Sequence, residues 1–485
     1  MKTIHSFMGM ALCSFPVMAQ QSPNFLIIQC DHLTQRVVGA YGADPSCTPP
    51  IDRIASQGVT FANAYVGCPL SQPSRAALWS GLMPHQTNVR SNSAEHINPP
   101  LPDSIPTLGS LFTANGYEAG KTHDMGSLRG FRHKEPVAKP FTDPEFPVNN
   151  DSFLDVGTCE DAVAYLSNPP QEPFICIADF QNPHNICGYV GENKGEHIDS
   201  PISTPLPLLP ENFEVEDWEK LPLPIQYICC SHRRMMQAAH WNEDNYRHYV
   251  AAFQHYTRIV ARQIESVLEA LYSTPAGKNT IVIVLADHGD GMGSHRMVTK
   301  QVSFYEEMTN VPFIIAGPGI HPRQKPVEDL LTQPTIDLLP TLCELAGIPV
   351  PSSKPGISLA PFLKGEKQKR QHPYAASEWH SEYEVTVSPG RMIRSPRYKY
   401  THYLEGNGEE LYDMLKDKGE RRNLAHDPKY SKILAEHRAL LDDYIRRTQD
   451  DYRSLKVEAD KRWRSHAPGY PNHEGPCARD IINRK

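Results

Sequence analysis

The sequence has no apolar run long enough to cross a lipid bilayer, no low-complexity tract and no excess of basic residues. A membrane-spanning helix needs about 20 mainly apolar residues, so we expect no membrane span. The formal net charge of the 485 residues is −8, which argues against a nucleic-acid-binding surface. The 11 cysteines show no zinc-finger spacing, and the sequence leaves open whether any of them pair. These absences leave a large globular protein in which a local group of cations must meet any anionic substrate.

The first residues have the pattern of an export signal. Lys2 gives a basic start, residues 7–18 form an apolar run, and Val17-Met18-Ala19 resembles a small-residue cleavage site. We therefore expect residues 1–19 to be a signal peptide. The protein is then exported, to the periplasm if the host is a Gram-negative bacterium.

Strand patterns alternate with helical patterns from residue 24 to about residue 360. The strongest strands are short, continuous apolar runs at 24–30, 174–180 and 280–286, which are typical of a buried parallel sheet. Helical patterns with proline or glycine boundaries lie between them. We therefore predict an α/β fold with a mainly parallel sheet that helices cover on both faces.

Two regions depart from this alternation. Residues 191–240 are rich in proline without a clear period, which predicts a long surface segment. After Pro361 the character changes, and residues 391–403 alternate apolar and polar side chains as an antiparallel strand does. We predict a catalytic domain at 20–362, followed at 363–485 by a smaller α+β subdomain with an antiparallel sheet and a tail.

Polar residues follow four of the predicted strands. A doubly wound sheet brings the carboxyl ends of its strands to one edge, where open α/β folds place their sites. Each residue alone fits a structural role, such as capping a helix. Together, two aspartates and two histidines make a candidate divalent-cation site, with a lysine and further histidines beside it. The residues concerned are Asp31, His32, Lys121, His123, His184, Asp287 and His288.

A second candidate site is the stretch Ser71-Gln72-Pro73-Ser74-Arg75. Proline suits the first turn of a helix, which we predict over 74–80 with Gly81 at its end. Ser71 then lies just ahead of a helix N-terminus, where free backbone N–H groups favour an anion. Arg75 can direct its guanidinium at the same anion. These residues by themselves fit an ordinary helix cap equally well.

The same stretch resembles the signature of the formylglycine-dependent sulfatases, Cys/Ser-x-Pro-x-Arg followed by a glycine about six residues later. The chain carries the serine form of this motif. The resemblance extends from about residue 23 to 425, with the family's landmarks in the expected order. The matching stretches are 24–32, 121–123, 183–184, 286–289, 293–295, 300, 305–307, 335–341 and 394–400.

The resemblance implies hydrolysis of sulfate monoesters by a modified residue. In this family a sulfatase-maturating enzyme oxidises the serine or cysteine to formylglycine, and the hydrated aldehyde attacks sulfur. The second hydroxyl of the hydrate collapses and expels sulfate, whereas an unmodified serine would remain as a stable sulfate ester. Formylglycine derived from Ser71 is therefore the expected nucleophile.

The resemblance also implies roles for the residues at the strand ends. The expected ligands of one divalent cation, Ca²⁺ in the family, are Asp31, His32, Asp287, His288 and Ser71. The other expected catalytic residues are Arg75 and Lys121 on the hydrate, His184 and Lys300 on the sulfate and leaving alcohol, and His123 as the base for hydrate collapse. The sequence departs from the family at position 32, where the usual second aspartate is a histidine. Calcium prefers oxygen ligands, so His32 leaves the metal's identity open.

The substrate implied by the resemblance is a sulfated oligosaccharide. Export and the serine-type motif look like bacterial sulfatases that degrade glycosaminoglycans, and the nearest group is the 2-O-sulfatases for the uronic acid of heparin and heparan sulfate fragments. We expect an exo-acting enzyme. Trp379, His380 and Arg391 are candidates for a sugar pocket, although such residues more often pack. The alternatives are a sulfatase for another sugar position, a phosphate or phosphonate monoester hydrolase, and an unmodified, inactive glycan-binding protein.

Overall fold

The computed structural model describes residues 22–92, 101–121, 132–133, 154–194, 205–214, 220–231, 233–300, 303–368, 371–380 and 389–455. The expected signal peptide, His123, the side chain of Lys121 and most of the C-terminal tail lie outside the described part of the chain. None of the described helices is both long and apolar enough to cross a membrane.

The described residues form two sheets, and the larger has eight strands. They are β1 (Asn24–Cys30), β2 (Gly58–Ala64), β3 (Glu118–Lys121), β4 (Arg132–His133), β5 (Phe174–Phe180), β6 (Thr280–Ala286), β7 (Phe313–Ala316) and β8 (Val327–Thr332). Their order is β4-β3-β5-β1-β6-β7-β2-β8. Only β7 runs antiparallel to its two neighbours. The prediction of a mainly parallel sheet is confirmed.

The described helices are α1 (Pro49–Ser56), α2 (Ser71–Ser80), α3 (Pro84–Thr87), α4 (Leu108–Ala114), α5 (Leu154–Ser167), α6 (Ile186–Glu192), α7 (Leu223–Ser231), α8 (Arg233–Gln237), α9 (Glu243–Tyr272), α10 (Glu306–Thr309), α11 (Pro334–Ala346), α12 (Ala360–Leu363) and α13 (Ser431–Thr448). Alternate strand residues face opposite sides of the sheet, so each face needs its own cover. One face packs on α1, α5 and α9, and the other on α2, α4 and α11. This explains why the central strands are apolar on both faces.

The second sheet lies in the C-terminal region. Its antiparallel strands are β9 (Ala375–Trp379), β10 (Gly390–Arg394), β11 (Tyr398–Tyr403) and β12 (Gly408–Asp413), in the order β12-β11-β10-β9. Helix α13 packs against this sheet and completes a small core. The predicted antiparallel sheet is thus present, while the domain boundary at residue 362 stays a prediction.

Two local predictions were wrong. Residues 391–403 form two strands joined by a turn, because Pro396 has no N–H to donate to a sheet and sits between β10 and β11. Residues 223–231 and 233–237 are helical, and Ile225 and Ile228 bury one side of α7 at a helical spacing. Helix α7 is too short for this period to stand out in the proline-rich sequence around it.

The described cysteines form no disulfide. Those with described side chains are all free thiols, and most are buried: Cys30, Cys47, Cys68, Cys159, Cys176, Cys187 and Cys343. They act as small apolar side chains of the core.

Candidate active site

Ser71 is the first residue of helix α2 and is fully buried. The helix therefore begins at Ser71 rather than after it, and it ends at Gly81, whose φ of +64° suits glycine. The Ser71 hydroxyl oxygen lies 2.9 Å from His288 Nε2 and 3.4 Å from Asp31 Oδ1. Lys300 Nζ donates to the same oxygen at 3.1 Å. The serine of the motif therefore contacts residues that follow two strands distant in the sequence, β1 and β6.

The strand register explains why these residues meet. Cys30, the last residue of β1, lies between Phe180 of β5 and Ala286 of β6. The three strands end at one level, so Asp31 and Asp287 emerge side by side at the carboxyl edge of the sheet. The prediction that the strand ends share one edge is confirmed for these two aspartates.

Arg75, one helical turn after Ser71, binds three buried carboxylates. Its Nε donates to Asp287 Oδ2 at 2.9 Å, its Nη2 donates to Asp31 Oδ2 at 3.3 Å, and its Nη1 donates to Asp179 Oδ2. The Ser74 hydroxyl donates to the Asp287 carbonyl at 2.6 Å. The helix that carries Ser71 is thereby fastened to the ends of three strands. The expected contact between Arg75 and an aldehyde hydrate stays a prediction.

The charges of the site act on Asp31 and His184. Burial by itself would raise the pKa of Asp31, but His184, Lys300 and Arg75 hold that pKa well below its usual value. Burial and the charge of Lys300 lower the pKa of His184 to about 3. At neutral pH Asp31 beside Ser71 is therefore a carboxylate, and His184, which lies against His32, is a neutral imidazole.

His288 is oriented by the backbone carbonyl of the next residue, Gly289. Its Nδ1 lies 2.9 Å from the Gly289 carbonyl oxygen, which can only accept, so Nδ1 carries the proton. The lone pair of Nε2 then faces Ser71 and Asp31, the second of which is 3.5 Å away. Only glycine fits at position 289, because a Cβ there would lie 1.9 Å from the Glu307 carbonyl oxygen.

His32 lies at the centre of this group with φ of +72° and no exposed surface. Its ring centroid is 4.7 Å from that of His184 and 4.6 Å from that of His288. Neither of its ring nitrogens has a hydrogen-bond partner within the described chain. A buried imidazole without partners is costly unless a further group completes it.

These residues fit a divalent cation. Ligand atoms of Asp31, His32 and His288 lie within 4.8 Å of one another, and all three residues are buried. The Asp287 carboxylate and the Ser71 oxygen border the same space. Carboxylate oxygens and neutral imidazole nitrogens are the donors that a divalent metal needs.

Three further residues belong to the site and escaped the sequence analysis. Asp179 lies inside the apolar run of β5 and binds Arg75, and Gln29 in β1 donates to Asp179 Oδ1 at 3.1 Å. Asp290 lies 3.5 Å from His32. A polar residue inside an otherwise apolar strand was the available signal for Asp179 and Gln29, which are also register partners.

The other predicted residues are placed as follows. Lys121 ends β3 and pairs with Ile177 of β5, three residues before the end of that strand, and His184 follows β5. Trp379 and Arg391 are buried at the C-terminal sheet, where Arg391 binds Asp450 through two hydrogen bonds of 2.7 and 2.9 Å. Arg391 is thus committed to a structural pair, which favours the packing role for it.

Comparison with known proteins agrees with this geometry. A family model described as "Sulfatase" matches residues 23–348, and one described as "N-sulphoglucosamine sulphohydrolase, C-terminal" matches residues 293–447. The chain belongs to the sulfatase family. The expectation drawn from the motif is thus confirmed at the level of the family.

Individual relatives of this sulfatase refine the comparison. It is 77% identical over 481 residues to a Delta 4,5-hexuronate-2-O-sulfatase of Bacteroides thetaiotaomicron, which covers 99% of this chain and 100% of the relative. A solved 2-O glycosaminoglycan sulfatase superposes with a TM-score of 0.91 and 76% identity, covering 95% of this chain and 100% of that chain. A phosphonate monoester hydrolase of Agrobacterium radiobacter shares the fold at a TM-score of 0.70 and 21% identity, covering 89% of this chain and 97% of that one.

Proposed function

We propose that this sulfatase removes the 2-O-sulfate from a uronic acid at the non-reducing end of glycosaminoglycan fragments, in particular those of heparin and heparan sulfate. The observation that carries the proposal is the 77% identity, over 99% of the chain, to a hexuronate-2-O-sulfatase. That relative is named for a 4,5-unsaturated sugar. A double bond between C4 and C5 leaves no glycosidic oxygen on C4, so such a sugar can only end a chain. This supports an exo mode of action.

The proposal includes formylglycine at position 71 and one Ca²⁺ ion held by Asp31, Asp287, His288 and His32. When present, these groups supply a hydrated aldehyde as nucleophile and a positive charge against the sulfate oxygens. Lys300 lies 3.1 Å from the Ser71 oxygen and is therefore suited to stabilise charge on the sulfuryl group. Arg75 keeps the carboxylates of Asp31 and Asp287 in place. Contacts of Lys121, His123 and His184 with the hydrate or the substrate belong to the same proposal.

We also propose that a sulfatase-maturating enzyme modifies Ser71 and that the protein is exported after removal of residues 1–19. Peptide mass spectrometry of protein from its native host tests both. The peptide that contains Ser71 should be about 2 Da lighter than expected for serine, and the mature chain should begin at Gln20. Active protein with only unmodified serine would contradict the mechanism without touching the substrate.

The substrate is tested with disaccharides that carry one sulfate each, at the uronate 2-O, glucosamine 6-O, glucosamine N or galactosamine 4-O position, together with a phosphate monoester. Release of inorganic sulfate or phosphate is measured by ion chromatography. We expect turnover of the uronate 2-O-sulfate above all others. Preference for a hexosamine sulfate would overturn the positional proposal and leave a sulfatase, whereas preference for the phosphate ester would overturn both.

A further inference from the structure

Two buried polar groups face each other at the back of the site. His32 Nδ1 and Asp290 Oδ2 are 3.5 Å apart, and neither atom has a hydrogen-bond partner within the described chain. Both side chains are fully buried. An unpaired donor or acceptor in such a place costs free energy, which a hydrogen bond between these two atoms would remove.

The other oxygen of Asp290 is firmly held. Tyr249 donates its hydroxyl proton to Asp290 Oδ1 at 2.5 Å, and the Met292 N–H donates to the same oxygen at 2.8 Å. The Tyr249 oxygen in turn accepts from the Thr299 N–H at 2.7 Å, so its own proton has to point at Asp290. This chain of donors fixes the carboxylate and turns Oδ2 towards His32.

The geometry points to Asp290 as the positioning residue that makes His32 a metal ligand through Nε2. With Nδ1–H directed at the Asp290 carboxylate, the lone pair of Nε2 faces the space that Asp31 and His288 border. The inference rests on the metal site of the proposed function and adds to it a residue that acts through His32. A carboxylate that holds the second nitrogen of a metal-bound histidine fixes its tautomer and raises its basicity.

The consequence is a change in metal preference. A second imidazole nitrogen makes the site softer than one with His288 alone, so borderline cations such as Zn²⁺ and Co²⁺ gain relative to Ca²⁺. An aspartate at position 32 should reverse this change. His32→Asp is compatible with the backbone, because aspartate tolerates the positive φ of this position better than most residues do.

Asp290→Asn tests this role directly, because the two donors to Oδ1 determine which way the asparagine amide is oriented. Tyr249 and Met292 both donate to the Oδ1 position, so the amide oxygen has to take that place. The NH₂ group then faces His32 Nδ1 and donates to it. The proton of His32 moves to Nε2, and the ring can no longer bind a metal through that atom.

The experiment uses metal-free full-length protein and Mn²⁺ as the probe, without substrate. Calorimetric titration gives the dissociation constant, and electron spin-echo spectroscopy of the Mn²⁺-loaded protein counts the coordinated imidazoles. We expect two imidazoles in the unchanged protein and one in Asp290→Asn and His32→Asp. Asp290→Asn should weaken Mn²⁺ binding by roughly 10- to 100-fold.

The matched control is Asp337→Asn, since Asp337 is another buried carboxylate that holds a histidine, with His372 Nε2 2.7 Å away. Its binding of Mn²⁺ should be unchanged.

One imidazole in the unchanged protein, or equal Mn²⁺ binding by Asp290→Asn, would overturn the inference. If Asp290→Asn does not fold, Tyr249→Phe takes its place, because it removes a donor that fixes Asp290 and keeps both His32 and the carboxylate. Weaker Mn²⁺ binding by Tyr249→Phe supports the inference, and unchanged binding overturns it. None of these readouts depends on sulfatase activity, so a failure of the substrate proposal would be seen separately.

Discussion

Two buried arginines, Arg75 and Arg391, stand in different electrostatic surroundings. Arg75 at the edge of the large sheet contacts three carboxylates, those of Asp31, Asp179 and Asp287. Arg391 in the small sheet binds one carboxylate and two backbone carbonyls, and its guanidinium lies 4.5 Å from the ring of Tyr452. Burial opposes the charge of both arginines, yet neighbouring carboxylates raise the pKa of both above the usual value.

The difference separates a catalytic cluster from a structural one. Arg391 binds the Asp450 carboxylate, and the nearby Glu378 carboxylate has a partner of its own in His85. Around Ser71, the described side chains place three carboxylates near two cations, Arg75 and Lys300, and all three carboxylates contact Arg75. Excess buried charge costs stability unless a cation offsets it. Three buried carboxylates in contact with a single arginine therefore form a place that suits a further cation.

The largest expected effect is at the nucleophile. Ser71→Ala should lower kcat by roughly 10⁴-fold or more, because the reaction loses the atom that attacks sulfur. Ser80→Ala is the matched control, since Ser80 lies buried in the same helix and its hydroxyl bonds only locally, to the Ala77 carbonyl. Sulfate release and thermal unfolding are measured for both. Full activity of Ser71→Ala would remove Ser71 from the mechanism.

Loss of charge at Arg391 should act on stability instead. Arg391→Met leaves Asp450 buried without its cation, which should reduce the free energy of unfolding by about 3–5 kcal/mol. Urea unfolding measures this reduction. The kcat and KM of the folded protein should be unchanged. A raised KM for the disaccharide would contradict the structural role and move Arg391 into the sugar pocket.

Lysine in place of Arg75 tests geometry with the charge kept. A lysine ammonium cannot reproduce the planar fork that reaches three carboxylates. We expect kcat/KM to fall by roughly 10²- to 10³-fold, because Asp31 and Asp287 lose their fixed positions. The same substitution at Arg391 should leave kcat/KM unchanged. Equal losses at both positions would mean that the two clusters do not differ in function.

The sequence was sufficient for the central elements of the fold and for the residues nearest Ser71. Strands β1, β5 and β6 are continuous apolar runs, so their positions and the polar residues after them could be predicted. The order of the eight strands could not, because strand order depends on which helix faces pack together. The antiparallel direction of β7 could not be predicted either, because it also depends on which helix faces pack together.

Asp290 and Tyr249 could not be assigned from the sequence for a related reason. Tyr249 lies in the second turn of helix α9, where its spacing is that of an ordinary core residue. Its hydroxyl reaches Asp290 across 41 residues of sequence. Asp179 carried a stronger signal in the sequence, since a carboxylate inside an apolar strand requires a partner such as Arg75.

The smallest expected effect is at an exposed arginine with good geometry. Arg53 Nη2 in α1 donates to both oxygens of Glu265 in α9 at 2.9 Å, whereas Arg391 uses two of its nitrogens on Asp450. The Arg53 side chain is 45% exposed, so water already solvates the charge and little is gained by pairing. Arg53→Met should therefore cost only about 0–1 kcal/mol of unfolding free energy, and added salt should shrink the difference further. If Arg53→Met cost as much as Arg391→Met, then burial would not set the contribution of an arginine to the stability of this protein. The excess of buried carboxylates around Arg75 would in that case lose its meaning as a sign of function.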